Sequence, residues 1–114
     1  PLIVLALLGA LPAAAQSACP GENQAEMNQC ADQEWQRADA ELNAAWQVVK
    51  PVFDGFGAGA ALLDAQRKWL AYRDAACGAE AAMFEGGSMQ PLIHSGCLAR
   101  LTKRRTEDLR GLTN

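Results

Sequence analysis

The sequence predicts an all-α fold: an antiparallel bundle of three main helices stapled by two disulfides. Three observations carry that expectation. Apolar residues recur three and four apart in three separate stretches. Segments rich in Gly and Pro separate those stretches. No stretch alternates apolar and polar residues in the period of a strand.

The chain opens with the apolar run Leu2–Leu11, followed by Pro12 and the triplet Ala13, Ala14, Ala15. A bilayer needs about 20 apolar residues, and this run is shorter. It matches the core and small-residue cleavage site of a secretory signal peptide, with cleavage after Ala15. The basic leading region is missing, so residues 1–15 read as an N-terminally truncated signal peptide. Residues 16–114 then form a single small domain. No later segment has the apolar length of a transmembrane helix, and no Cys follows the run closely enough for lipid attachment. The expected location is the periplasm or the medium.

Export decides how Cys19, Cys30, Cys77 and Cys97 are read. An even count in a small exported domain argues for two disulfides. The alternative is a metal site, but no CxxC spacing is present and His94 is the only histidine. No metal or other cofactor is expected.

The first helix is placed from about Glu22 to Pro51. Met27, Ala31, Trp35, Ala38, Leu42, Ala45, Trp46 and Val49 recur along it at helical spacing. Pro51 and the stretch Asp54–Gly59 break the pattern. The second helix centres on Leu62–Cys77, where Leu63, Gln66, Leu70, Arg73 and Cys77 share one face that Leu62 and Trp69 widen. Gln66 and Arg73 are polar members of that face. A buried polar group is costly without a partner, so they call for partners from elsewhere unless they reach solvent at its edge. Glu85, Gly86, Gly87 and Ser88 make the second break. Pro91 suits the first turn of a third helix, which Leu98, Leu101, Arg105 and Leu109 carry to about Gly111.

Antiparallel hairpins fix a register. With Val49 and Leu62 flanking the first turn, Arg73 comes level with Ala38 and Asp39, and Gln66 with Asn43 and Ala45. An Arg73–Asp39 pair would satisfy the guanidinium. If buried, its disruption costs roughly 3–5 kcal/mol; if exposed, the pair is worth under about 1. Across the second turn, Cys77 faces Cys97 or Leu98. Of the three possible connectivities this favours Cys77–Cys97, leaving Cys19–Cys30 to pin the N-terminal segment onto the first helix.

A set of these residues carries a family resemblance. It comprises Glu26-Met27-Asn28, Cys30-Ala31, Ala38-Asp39, Leu42-Asn43, Ala65-Gln66-Arg67, Trp69-Leu70, Tyr72-Arg73-Asp74, Cys77, Gly86-Gly87-Ser88, Cys97 and Arg105. The chain resembles the LprI-type lysozyme inhibitor family over nearly all of the mature domain. The resemblance implies a small exported bacterial domain, helical and disulfide-stapled, that binds lysozyme and blocks cell-wall hydrolysis.

Charge is unevenly divided. Residues 16–85 hold eleven acidic and five basic residues, and residues 86–114 hold two acidic and five basic. An acidic face on the first two helices suits a basic partner such as lysozyme. The short cluster Lys103-Arg104-Arg105 meets the dipole at a helix C-terminus, and no nucleic-acid partner is expected of an exported acidic protein. Catalysis finds little support. His94 has no nucleophile beside it once the thiols are paired, and Ser88 and Ser95 lie in no nucleophile-elbow pattern. The chain is therefore read as a binding protein rather than an enzyme. Its ligand is a lysozyme-type hydrolase or, as a second reading, another envelope protein or peptidoglycan. The expected docking element is the Glu85-Gly86-Gly87-Ser88 turn: a protruding loop can enter a concave active site, and its glycines permit close approach.

Overall fold

A computed structural model describes Cys19, Gly21 and residues 23–114; the expected signal peptide, residues 1–15, lies outside them. Three helices make up the described chain: α1 (Gln24–Gly55), α2 (Gly59–Ala82) and α3 (Gln90–Gly111). There is no strand among the described residues. None of these helices is long and apolar enough to cross a membrane.

Helix α1 opens at Gln24 rather than near Glu22. The extended Asn23 precedes it, and the Asn23 side chain accepts a hydrogen bond from the Glu26 amide at 2.9 Å. That contact satisfies one of the orphan donors of the first turn. Ala31, Ala38, Leu42, Ala45 and Val49 form its buried face, as their spacing predicts. The sequence places the helix end at Pro51, but α1 runs through it to Gly55. Proline removes its own amide donor and crowds the carbonyl four residues earlier, but Pro51 is exposed and only the closing turn follows it. Beyond it, Phe53 packs against the core and Lys50 pairs with Asp54 at 2.6 Å. These contacts hold the last turn in place. Pro91 lies in the first turn of α3, where its missing donor is harmless.

Cross-helix pairs set the topology. Gln66 meets Arg105, Arg73 meets Thr102 and Glu80 meets Arg100, so α2 runs antiparallel to α3. Asn28 meets Ser88 and Glu34 meets Lys103, so α1 and α3 run in the same direction. The largest helix–helix contact is between α1 and α3, not between chain neighbours. One core cluster gathers Leu42, Ala45, Val49, Leu62 and Leu109, with Trp46, Phe53 and Trp69 against it. A second gathers Cys77, Cys97 and Leu98, with Trp35 and Leu101 against it. The three tryptophans are thus packing groups of the core. Both expected disulfides form, Cys19–Cys30 and Cys77–Cys97, with Cα–Cα distances of 5.5 and 5.4 Å.

Candidate partner-binding site

Two arrangements stand out: a polar seam between α2 and α3, and the loop that joins them. In the seam, Gln66 and Arg73 are buried, as the apolar stripe predicts. Arg105 Nε donates to Gln66 Oε1 at 2.8 Å. Arg73 Nη1 donates to Thr102 Oγ1 at 3.4 Å, and its Nε donates to Asp74 Oδ1 at 3.0 Å. The Trp69 ring lies beside both cations, 5.3 Å from the Arg73 guanidinium carbon and 5.8 Å from that of Arg105. Contacts of this kind stabilise a desolvated guanidinium through the negative face of the ring. Burial pushes the Arg105 guanidinium below its ordinary value, and neighbouring Asp108 opposes that shift.

The expected Arg73–Asp39 pair is not formed. The register argument assumed that the polar face of α2 meets α1, whereas it turns toward α3. For the same reason Gln66 meets Arg105 rather than the Asn43 and Ala45 level of α1. Sequence reasoning missed Arg105 and Thr102 as partners. The available signal was that Arg105 shares the stripe of Leu98, Leu101 and Leu109, so that α3 presents a polar group of its own to α2. This seam ties α2 to α3.

The loop stands at the end of the bundle where α1 and α3 begin. Past Ala82 the chain continues as a series of tight turns. The amides of Phe84, Glu85 and Gly87 donate to the carbonyls of Ala81, Ala82 and Phe84 at 2.9, 3.2 and 2.9 Å. The Gln90 amide then reaches back to Gly87 O at 3.2 Å. Gly86 adopts a φ of 79°, a region that side chains rarely enter, so glycine is required there. A Cβ at Gly87 would stand 3.1 Å from Phe84 O, so this turn too is closely fitted. Ser88 does not cap α3: Met89 occupies the N-cap position, and no side chain caps it. The Ser88 carbonyl instead accepts from Asn28 Nδ2 at 3.2 Å, which ties the loop to α1. Cys77–Cys97 joins α2 and α3 below the loop.

Glu85, Gly86, Gly87 and Ser88 are all exposed and sit together in this turn. Three apolar neighbours that sequence reasoning left out flank them. Met83 is 85 % exposed, with Phe84 and Met89 at 38 % and 42 %. Their signal was present as apolar residues either side of a double glycine, but such residues are normally assigned to a core. The tip therefore combines a glycine-cornered turn braced by hydrogen bonds, an apolar rim and one carboxylate, that of Glu85. His94 is exposed on α3. No group of three His, Cys, Asp or Glu among the described residues is placed to hold a metal ion.

The fold and the loop define a small, disulfide-stapled bundle of three helices with a hydrogen-bonded interhelical loop at one end. Residues 14–109 match the family model described as lysozyme inhibitor LprI, and the chain belongs to that family. An uncharacterized protein of Rhizobium meliloti (strain 1021) is 42 % identical, over 98 % of this chain and 92 % of that protein. No solved structure matches.

Proposed function

We propose that this protein is an exported inhibitor that binds a lysozyme-type cell-wall hydrolase in the periplasm or outside the cell, and that it docks through the α2–α3 loop. The observation that carries the docking assignment is the exposed apolar rim of Met83, Phe84 and Met89 around a turn braced by hydrogen bonds. Exposed large apolar groups gathered at one tip mark interaction sites more often than scattered ones do. A braced loop also loses less conformational freedom on binding. Glu85 and the Ser88 hydroxyl supply polar contacts within the same tip. Family membership supplies the partner class, and the disulfides fit an oxidising compartment.

The test is inhibition of a lysozyme by the protein and its loop variants. Phe84→Ala and Glu85→Ala, both at exposed positions, are expected to weaken inhibition by about tenfold or more with the melting temperature unchanged, as for interface anchors. Ser88→Ala is expected to leave stability intact, since its carbonyl rather than its hydroxyl holds Asn28. Inhibition retained by all three variants would move the interface to the acidic face of α1 and α2. With a basic hydrolase, the association rate is expected to fall as salt rises while the dissociation rate changes little. Stopped-flow measurement at two ionic strengths checks this.

A further inference from the structure

The C-terminal half of α1 carries an outward apolar row that no described residue covers. Ala40, Ala44, Val48, Val52 and Phe56 recur every four residues and are all exposed. Val48, Val52 and Phe56 are 65, 41 and 85 % exposed. A row of this spacing is the ridge that packs into the groove of a neighbouring helix. The row beside it, Asn43, Gln47, Pro51 and Gly55, is exposed as well. None of these nine residues is charged, although charged residues make up 20 % of the chain. Depletion of charge, more than hydrophobicity, marks the centre of a protein interface.

We propose that this face binds a second copy of the chain, reversed about a two-fold axis at Val48. The row grades from small to large, with Ala40 and Ala44 at one end and Phe56 at the other. Reversal about Val48 sets Ala40 against Phe56 and Ala44 against Val52, so each small residue meets a large one. A groove of about 280 Å³ opens beside Ala44 and Val48, toward Arg110 and Thr113. Val52 lies on that same flank of α1, so the two-fold brings the copy's Val52 to the groove.

The polar groups of the face suit the same arrangement. Pro51 has no amide to donate to the Gln47 carbonyl one turn back. Reversal brings that acceptor level with the copy's Gln47 side-chain amide, and Asp54 level with the copy's Asn43 amide. The centre of the face opposes no like charges, so a protein of net charge −3 can pair with itself there. From Ala40 to Phe56 the face is about 24 Å long, and half the girth of a helix is under about 20 Å. It therefore buries at most about 500 Å² per copy, or about 1,000 Å² in total, the lower limit for a specific interface. The dimer is weak. The α2–α3 loop stands at the other end of α1, where Asn28 meets Ser88, so pairing leaves both loop tips free.

Sedimentation equilibrium of the protein over a range of concentrations tests the assignment. A monomer at about 10 μM is expected to give way to dimer toward about 1 mM, with little change as salt rises. Val48→Asp sets two carboxylates against each other at the axis and is expected to weaken pairing tenfold or more. Ala44→Lys and Val52→Glu are each expected to weaken it about tenfold, whereas the double variant pairs each lysine with the copy's glutamate and recovers it. All three sites are exposed, and an unchanged melting temperature confirms that each variant is folded. Phe84→Ala should pair normally, which separates self-association from inhibition. The proposal is overturned if the protein stays monomeric at about 1 mM, or if Val48→Asp pairs unchanged. It is equally overturned if the double variant pairs no better than the single ones, or if Phe84→Ala abolishes the dimer. A protein that stays monomeric but binds vesicles of neutral lipid, with Phe56→Ala removing the binding, would assign the face to a lipid surface and overturn the dimer.

Discussion

Arg73 shows what a buried cation in a small helical domain requires. Its head group meets Thr102, Asp74 and the Trp69 ring, and its stem fills the seam between α2 and α3. Asp74 is largely exposed, so water screens its part of the interaction. The larger share comes from packing of the stem and from the polar contacts within the seam. Arg73→Ala is therefore expected to cost about 2–4 kcal/mol. Arg73→Met keeps the stem and should cost clearly less. Asp39→Ala is expected to stay within about 0.5 kcal/mol, because the half-buried Asp39 makes no hydrogen bond or ion pair with a described residue. Urea unfolding of the three variants checks the set. A loss at Asp39 equal to that at Arg73 would restore the pair suggested by the helical register.

At the scale of the helices, periodicity and punctuation made most of the fold legible. The stripe from Ala31 to Val49 marks the buried face of α1, and Pro91 marks the start of α3. The stripe through Gln66, Arg73 and Cys77 is the buried face of α2. Helical spacing identifies which residues turn inward, but not which of two neighbouring helices they meet. That gap is why spacing alone pairs Arg73 with α1, although Thr102 of α3 meets it. Pro51 failed for a different reason: a proline cuts a helix decisively when several turns depend on it, and here only the closing turn follows. Pro51→Ala restores the missing amide donor at an exposed site. It is expected to stabilise the protein by about 1–3 kcal/mol, less whatever the freer unfolded chain takes back. Thermal unfolding measures it, and a variant less stable than the parent would mean that the proline is fitted to the turn. The loop was legible as a candidate through its double glycine. Its apolar rim was not, because only the structure shows that Met83 and Met89 fail to reach a core.

Across the whole molecule, the two disulfides occupy different environments. Cys77 and Cys97 are 0 % and 1 % exposed, whereas Cys19 and Cys30 are only partly buried. Thiol exchange needs access to sulfur. Under limiting reductant, alkylation is expected to label Cys19 and Cys30 well before Cys77 and Cys97, with helical content retained in the singly reduced form. Peptide mapping reads the order. Replacing Cys77 and Cys97 by Ser removes the closed loop between α2 and α3 and is expected to cost about 3 kcal/mol. The contact between α1 and α3 has a further consequence for how the chain reaches this state. A chain made from its N-terminus completes α1 long before α3, its principal neighbour, exists. Until then Trp35, Leu42 and Trp46 lack the surface that later covers them. Burial of α1 therefore waits on the last helix, and the nascent protein passes through an interval in which a holdase chaperone has an apolar helix to grip.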